Sequence, residues 1–333
     1  MSFGINDKPV GPIGFGLMSL HTPRATPLTD DQRIAAVKAA FEAGCTYMNG
    51  GLFYGSPDNN SLTLMNKYFA KYPEDASKII LNIKGGYDHT KHVPTGSKEA
   101  IAKSIDTCLD LLGPRGRIDQ WEPARRDREV DYYNDTLSTI EEYVKAGKIG
   151  GISLSEVKVD TIREAAKRFK IESVEIELSL FRTEPLTDGL LEACAELDIT
   201  VLAYGPLGKG FLSGEIRKFE DIPEGDIRRF MPRFQRDNFD NNLVLVEKIA
   251  ALAEKKGCTP GQVAVNWLLA LSRKPGMPRI VPIPGTGNID RVKENSKVVH
   301  LSDEDVAEID NILVGFTTAG TRYPASFLAH LDG

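Results

Sequence analysis

The feature that most constrains the fold is a repeated alternation of short apolar runs with amphipathic stretches. Eight apolar runs recur along the chain, namely GPIGFGLM, TYMNG, IILNIKGG, IDQWEP, IGGISL, SVEIELSL, TVLAYGPL and RIVPIPG. Between them lie stretches such as TDDQRIAAVKAAFEAG and SKEAIAKSIDTCLDLLG. Several of these begin with Ser, Thr or Asp and end with Gly, which are signals for the start and end of a helix. The alternation predicts parallel strands joined by crossover helices.

Eight strand–helix repeats without a linker predict a closed (β/α)8 TIM barrel, with residues 1–333 forming a single domain. A doubly wound open sheet is the alternative. It is disfavoured because no GxGxxG follows the first apolar run, and the three glycines of GPIGFG have the wrong spacing.

Two departures from the simple repeat are expected. Residues 215–241, after the seventh run, are too long for an ordinary barrel loop and form a candidate lid. The arginines of this loop are interpreted either as an anion clamp or as part of a solvated surface. Additional helices near residues 260–272 and 302–313 are predicted to pack on the barrel.

Composition and charge exclude several functions. The net charge of −6 argues against general binding to nucleic acid or to membrane surfaces. There is no apolar run long enough for a bilayer and no secretory signal pattern at the start, so a cytoplasmic location is expected. The four cysteines are far apart and form no CxxC or Cys/His cluster, so we predict free thiols and no metal site.

Polar side chains recur where the apolar runs end, and this end of a barrel carries the chemistry. A lysine at such a position, Lys84, needs a partner because its charge is costly to bury. A carboxylate, a cofactor charge or a phenol would serve. Each polar residue alone is more typical of a surface or packing role, but their common placement favours a site. The other candidates at these ends are Asn49, Tyr54, Glu122, Arg125, Ser155, Glu156, Tyr204, Gly285 and Thr286.

The segments that carry these residues resemble the aldo-keto reductases along almost the whole chain. The matching segments are GFGLMSL, FYG, IKGG, VKAGKIGGISLSEV, VEIELSLF, AYGPLGKGFLSG and IPGTGNIDRVKEN. Within the family the chain is most similar in appearance to the fungal pyridoxal reductases, which share GLMSL, an asparagine ahead of FYG, and GGISLSEV. The resemblance implies a barrel that binds NADP(H) without a Rossmann domain and reduces a small-molecule carbonyl.

The resemblance also implies catalytic roles. Tyr54 would donate the proton, and Lys84 would lower its pKa because an ammonium stabilises phenolate. Asn49 stands where the family has an aspartate. We expect Asn49 to orient Lys84 without neutralising it, so that the lysine charge acts on Tyr54 with less compensation.

The histidine that the family places after the fourth strand is Ala124 in this chain. The alanine is interpreted as making room for a bulky ring in the substrate. Without this histidine, the hydrogen bond to the substrate oxygen would be formed by Arg125, by Glu122 or by an ordered water.

The resemblance implies a cofactor site as well. A lysine that the family has near this site is Gly285 here, so Arg291 would carry more of the preference for the 2′-phosphate. The implied contacts are Ser155, Glu156 and Glu175 for the carboxamide, Tyr204 for the nicotinamide ring, Gly285, Thr286 and Arg291 for the 2′-phosphate segment, Glu294 and Asn295 for adenine, and Leu207, Gly208 and Gly210 in the loop after the seventh strand.

Three functions remain open at this point. The first is NADPH-dependent reduction of pyridoxal or a similar aromatic aldehyde. The second is reduction of another aryl aldehyde or of a ketone in a fungal pathway. The third is a cofactor-binding regulatory barrel with little turnover, which the retention of Tyr54 and Lys84 disfavours because a binding module needs neither.

Overall fold

The computed structural model describes residues 4–5, 8–22, 27–328 and 331. Eight parallel strands form its main sheet: β1 Phe15–Gly16, β2 Tyr47–Gly51, β3 Ile80–Gly85, β4 Gln120–Pro123, β5 Ile152–Ser155, β6 Ile171–Glu177, β7 Thr200–Tyr204 and β8 Ile280–Pro282. Each strand pairs with its neighbour in sequence. Hydrogen bonds from Gly14 N to Pro282 O (2.9 Å) and from Gly16 N to Pro284 O (3.1 Å) join the first strand to the last. The predicted (β/α)8 barrel is therefore confirmed.

Ten helices of seven residues or more surround the described barrel: α1 Asp30–Glu42, α2 Ser61–Lys71, α3 Lys98–Leu112, α4 Ser138–Lys145, α5 Val159–Ala166, α6 Leu190–Glu196, α7 Arg236–Lys256, α8 Pro260–Leu271, α9 Ile289–Asn295 and α10 Asp303–Val314. Thr29, Thr259 and Ser302 cap α1, α8 and α10 with their hydroxyls, as the sequence signals indicate. The two predicted extra helices are α8 and α10. None of the described helices is both long and apolar enough to cross a membrane.

Shorter elements complete the described chain. A π-helical turn, Tyr132–Leu137, leads into α4, and short helices cover Met18–His21 and Ala325–Leu328. Three small antiparallel pairs join Gly4–Ile5 to Lys8–Pro9, Gly55–Ser56 to Asn59–Asn60, and Tyr87–Asp88 to Val93–Pro94.

The long connection after β7 is shorter than predicted. The expected loop 215–241 ends where α7 begins at Arg236, because Phe239 and Asn242 turn inwards and are buried there. Before α7 the chain forms 3₁₀ turns at Gly208–Ser213, Phe219–Asp221, Ile227–Phe230 and Pro232–Phe234. Asn242 fixes the junction by donating to Arg233 O and Ala319 O, both at 2.9 Å.

The inside of the barrel changes character along its axis. Alternate residues of a strand point to the same face, so each strand contributes every second side chain to the interior. The lower layer is apolar and contains Ile5, Tyr47, Ile80, Leu202, Val281 and Ile283. Above it, the buried side chains are Asn49, Asn82, Lys84, Gln120, Glu122, Ser153, Ser173 and Glu175. A polar layer at the carboxyl ends of the strands is where a barrel places its chemistry.

Helix α7 offers a direct test of the packing outside the strands. Leu245 is fully buried while the adjacent Val244 is 44% exposed. Leu245→Ala should destabilise the protein by about 2–5 kcal/mol because it removes packed atoms and leaves a cavity. Val244→Ala should change stability by no more than about 0.5 kcal/mol. Urea denaturation of the two variants measures the difference, and equal losses would contradict this placement of α7.

Candidate active site

The centre of the site is Lys84, which ends β3 inside the barrel and is only 3% exposed. Its ammonium donates to Asn49 Oδ1 at 2.8 Å and lies 2.9 Å from Glu122 Oε1. It also donates to Glu175 Oε2, in a close ion pair. The β3–β4 register sets Glu122 directly opposite Lys84. The ammonium thus has two hydrogen-bond acceptors, from β2 and β6, and a third partner, the Glu122 carboxylate on β4, at ion-pair distance.

The structure corrects the expectation that Lys84 acts with little compensation. Asn49 has no charge, but Glu122 and Glu175 both form ion pairs with the ammonium. Asn49 also donates from Nδ2 to Glu175 Oε2 at 2.6 Å, so its amide bonds both the cation and one carboxylate. The negative charge that compensates Lys84 thus lies on β4, at Glu122, while Glu175 on β6 adds a carboxyl group whose pKa is raised.

The ion cluster perturbs the pKa values of its members. Burial raises the pKa of Glu175 to about 8; the ammonium of Lys84 opposes this shift and the carboxylate of Glu122 adds to it. Burial alone would lower the pKa of Lys84, but Glu122 and Glu175 raise it above its usual range. Lys84 therefore stays charged at neutral pH, while Glu175 holds its proton more strongly than an exposed glutamate.

Tyr54 lies in the loop after β2, and the ammonium of Lys84 is 5.7 Å from the centre of its ring. Gly51 makes this approach possible, since a Cβ there would lie 3.1 Å from the ring. Burial raises the pKa of Tyr54 to about 12; Lys84 opposes the shift, and Glu175 and Glu122 add to it. The phenol is therefore protonated at neutral pH, as a proton donor must be.

Arg125 lies just beyond β4, next to the buried Ala124. Its guanidinium donates to Ala124 O at 2.5 Å and to Ser155 Oγ at 3.4 Å. Glu122, the other substrate candidate, lies deeper, since its Oε2 accepts from Ser153 Oγ at 2.8 Å and its Oε1 faces Lys84. Of the two, Arg125 is the one at the mouth of the barrel.

A second ion cluster covers the ends of β5 and β6, and the sequence did not predict it. Glu156, with a left-handed φ of 51°, follows β5 and pairs with Arg322, at 2.6 Å from Oε2 to Nη2. Glu177, at the end of β6, accepts from Arg233 Nη1 at 2.9 Å and lies 3.7 Å from Arg322. Against the effect of burial, Arg322 holds the pKa of Glu156 below its usual range.

The C-terminal segment also reaches the proposed nicotinamide tyrosine. The hydroxyls of Tyr204 and Tyr323 lie 3.3 Å apart, and Lys209 Nζ lies 4.5 Å from the centre of the Tyr323 ring. Arg322 and Tyr323 have no local sequence signal, because they are far from the barrel strands in the chain. The one available hint was that Glu156 and Glu177, two glutamates at strand ends, would need cationic partners from a distant part of the chain.

The first amides of α9 are hydrogen-bonded within the loop that precedes the helix. Helix α9 has seven residues, and its first amides, those of Asp290 and Arg291, donate to Asn288 Oδ1. These amides are therefore not free for a phosphate. The half-exposed guanidinium of Arg291 forms an ion pair with Glu215 from the loop after β7. It can bind a phosphate only if this ion pair opens.

Gly261 lies beside three of the residues that were expected to contact the cofactor. Gly261 has no side chain at the point where a Cβ would contact Leu207 at 3.4 Å, Glu294 Oε1 at 3.6 Å and Asn295 Oδ1 at 3.8 Å. Gly208 and Gly210 adopt left-handed φ values of 55° and 92°, which few other residues accept without strain.

The predicted residues thus fall into two groups on the top of the barrel. Asn49, Tyr54, Lys84, Glu122 and Glu175 lie together. Glu175 was expected at the nicotinamide carboxamide, but its hydrogen bonds are to Lys84 and Asn49. Arg125 lies beyond β4. The others lie at or beyond the ends of β5, β7 and β8, and they are Ser155, Glu156, Tyr204, Leu207, Gly208, Gly210, Gly285, Thr286, Arg291, Glu294 and Asn295. No cluster of three potential metal ligands occurs in the described residues.

Comparisons with known proteins show similarity along most of the chain. The sequence profile described as the aldo/keto reductase family matches residues 12–314. The chain is 34% identical to a putative pyridoxal reductase of Saccharomyces cerevisiae, covering 93% of this chain and 95% of that protein. It is 36% identical to the aldo-keto reductase yakc [NADP(+)] of Schizosaccharomyces pombe, covering 96% and 93%.

A solved structure supports the fold. The glycerol dehydrogenase of Gluconobacter oxydans superposes with a TM-score of 0.81 at 22% identity, over 96% of this chain and 97% of that one.

The raised pKa of Glu175 predicts a pH-dependent stability. The folded state binds this proton more tightly than the unfolded state, in which the pKa is near 4.5. The stability that Glu175 contributes is therefore complete below about pH 4.5 and is lost as the pH rises through about 8. The amide of Glu175→Gln has no such proton to lose. The melting temperature of this variant should therefore rise relative to that of the parent between about pH 5 and 8, and the difference should stay constant at higher pH.

Thermal unfolding of both proteins across this range measures the effect. Glu172→Gln is a suitable control, because Glu172 lies on the same strand but pairs with the exposed Lys170. Parallel curves for the parent and Glu175→Gln would contradict the protonated state of Glu175.

Proposed function

This chain belongs to the aldo/keto reductase family, and we propose that it uses NADPH to reduce aromatic aldehydes of the pyridoxal type to alcohols. The observation that carries the proposal is the position of Tyr54 beside Lys84 at the carboxyl ends of the strands. Relatives named as a pyridoxal reductase and as an NADP(+) aldo-keto reductase support the choice of substrate and cofactor.

Tyr54 is the proposed acid. Bound NADPH would supply the hydride for the carbonyl carbon. The oxygen then becomes an alkoxide, which is a stronger base than phenolate, so Tyr54 can protonate it even with a pKa of about 12. Lys84 stabilises the phenolate that results, and its contacts with Glu122 and Glu175 hold the ammonium in place.

The mouth of the barrel suits an aromatic ring. The ring of Phe53 lies 5.1 Å from that of Tyr54 and 5.2 Å from that of Tyr87. The small, buried Ala124 occupies the position at which the family has a histidine. These contacts favour a flat aryl aldehyde over an aliphatic one.

The cofactor would lie across the ends of β5 to β8. Ser155 and Tyr204 would hold the nicotinamide, and Glu294 and Asn295 the adenine, while Arg291 would bind the 2′-phosphate after Glu215 releases it. All four cysteines are free thiols, which supports a reducing compartment such as the cytoplasm.

Tyr54→Phe tests the acid. The variant removes only the hydroxyl, so single-turnover hydride transfer to a saturating aldehyde should fall by about 10²–10⁴-fold, the usual contribution of general acid catalysis. NADPH affinity should stay within a few-fold of the parent. Tyr143→Phe is the control, since this phenol donates to Ala102 O on the outer helices. A rate for Tyr54→Phe within a few-fold of the parent would exclude Tyr54 as the acid.

Arg291→Ala tests the cofactor. A charge-assisted contact to the 2′-phosphate contributes roughly 1.5–3 kcal/mol, so the preference for NADPH over NADH should narrow by about ten-fold or more. Glu215→Gln should instead strengthen NADPH binding, because it removes the carboxylate that competes for Arg291. Fluorescence titration with both cofactors measures the ratios.

The control for this pair is Arg236→Ala, which breaks a similar surface ion pair with Glu220. Equal affinities for NADPH and NADH in the unmodified protein would count against NADPH as the cofactor.

A further inference from the structure

Asn49 and Glu175 bond to each other and to the same cation inside the barrel. Asn49, on β2, donates from Nδ2 to Glu175 Oε2 at 2.6 Å, and its Oδ1 accepts from the Lys84 ammonium at 2.8 Å. Glu175, on β6, accepts from that ammonium with the same Oε2. All three side chains are buried. The amide, the carboxyl group and the ammonium therefore form a closed triangle of hydrogen bonds.

This triangle restricts which side chains can occupy its corners. An amide offers both a donor and an acceptor, whereas an ionised carboxylate offers acceptors only. With Asn49 in place, every contact of the triangle joins a donor to an acceptor. A carboxylate at position 49 would instead set two acceptor oxygens against each other at the 2.6 Å contact with Glu175, and they could stay so close only with a proton between them. The acid at Glu175 thus requires the amide at Asn49.

The charge balance of the cluster leads to the same requirement. Glu122 Oε1 lies 2.9 Å from the Lys84 ammonium, so two carboxyl groups already contact one buried cation. Burial raises the pKa of Glu175 to about 8, and Glu122 adds to this shift although Lys84 opposes it. One proton retained by Glu175 leaves the cluster neutral. A third carboxyl group would add a buried negative charge that has no partner.

We propose that Glu175 is a positioning residue for Lys84, and that Glu175 and Asn49 form an interdependent pair in which one member is an acid and the other must be an amide. This inference rests on the proposed function, in which Lys84 acts on Tyr54. Glu175 reaches the reaction through Lys84, whose ammonium lies 5.7 Å from the centre of the Tyr54 ring. The pair therefore controls how much of the lysine charge acts on the phenol.

Exchanging the two side chains tests their interdependence. Asn49→Asp alone should lower the melting temperature by about 5 °C or more, because it adds an unpaired acid to a buried site. The loss should increase between about pH 6 and 9, since the folded state then needs a proton that is harder to retain as the pH rises. In the double variant Asn49→Asp/Glu175→Gln the acid lies on β2 and the amide on β6, so every contact again joins a donor to an acceptor.

The cost of Asn49→Asp should therefore fall to about 2 °C or less when Glu175→Gln is already present. If Asn49→Asp does not fold alone, recovery of a folded protein in the double variant supports the pair in the same way. An equal cost of Asn49→Asp in both backgrounds, or a double variant that also fails to fold, would refute the pair.

The groups around Glu175 determine what its ionisation changes. Its register partners on β5 and β7 are Ser155 and Leu202, which carry no charge. The titratable groups that interact with it are Lys84 on β3, Glu122 on β4, Tyr47 on β2 and Tyr54 in the loop after β2. Lys84 supplies the positive charge among them. When Glu175 loses its proton, a second negative charge therefore acts on Lys84, and the ammonium stabilises the phenolate of Tyr54 less.

The pH dependence of hydride transfer tests the positioning role. Single-turnover reduction of saturating pyridine-4-carbaldehyde by the parent should fall by about three- to ten-fold as the pH rises through about 8. Glu175→Gln cannot ionise, so it should keep its rate across this range, with an NADPH affinity within a few-fold of the parent. Glu172→Gln is the control on the same strand, because Glu172 pairs with the exposed Lys170, and it should keep the profile of the parent.

Two results would overturn the positioning role. The first is an alkaline decline in Glu175→Gln equal to that of the parent. The second is weaker NADPH binding in Glu175→Gln with no change in the pH profile, which would assign Glu175 to the cofactor instead.

Measurements without a substrate distinguish this proposal from the proposed function. The ¹⁵N resonance of the Lys84 ammonium, identified by its loss in Lys84→Met, should shift near pH 8 in the parent and stay constant in Glu175→Gln. Absence of turnover with every aldehyde would contradict the reductase activity alone, because the resonance and the melting temperatures still report on the pair. A resonance that titrates equally in both proteins would refute the link between Glu175 and Lys84.

Discussion

The upper half of the barrel depends on one buried ammonium. Lys84 is 3% exposed, and a charge so far from water is tolerated only when its donors are bonded and its charge is paired. Its three polar partners belong to β2, β4 and β6, so the cation connects three strands to its own. A shift of one residue in any of these strands would turn the acceptor to the outside of the barrel. The ion cluster thus fixes the register as well as the site.

The cluster is continuous with a chain of hydrogen bonds along the barrel axis. Glu122 accepts from Ser153, and the hydroxyls of Ser153 and Ser173 lie 2.7 Å apart. Ser173 donates to Gln120 Oε1 at 3.0 Å, and the Tyr47 hydroxyl donates to the same oxygen. Because Glu122 is bonded from below, the oxygen that it presents to Lys84 has a fixed direction. Buried polar groups linked in this way give a site rigidity that a solvated lysine would lack.

The strands, and the grouping of Tyr54 with Lys84, could be predicted because they depend on local pattern and order. Periodicity identifies a strand, and the end of a parallel strand identifies the face. The carboxylates that compensate Lys84 were harder to assign, since Glu175 is distant in sequence and its likeness to a family position suggested a cofactor contact. The pairing of Glu156 with Arg322 could not be predicted at all, because no pattern links a strand end to a C-terminal segment. Long-range ion pairs follow from the closed geometry of the barrel.

The contact of Arg322 with Glu156 and Glu177 has a consequence for the order of assembly. A chain emerges from the ribosome with its amino terminus first, so all eight strands are made before Arg322 exists. Until then Glu156 lacks its ion-pair partner, whereas Glu177 can already pair with Arg233. The barrel mouth is therefore completed only after the segment that carries Arg322 has been synthesised. Nascent chains that stop short of this segment would have the strands of the barrel without a finished mouth.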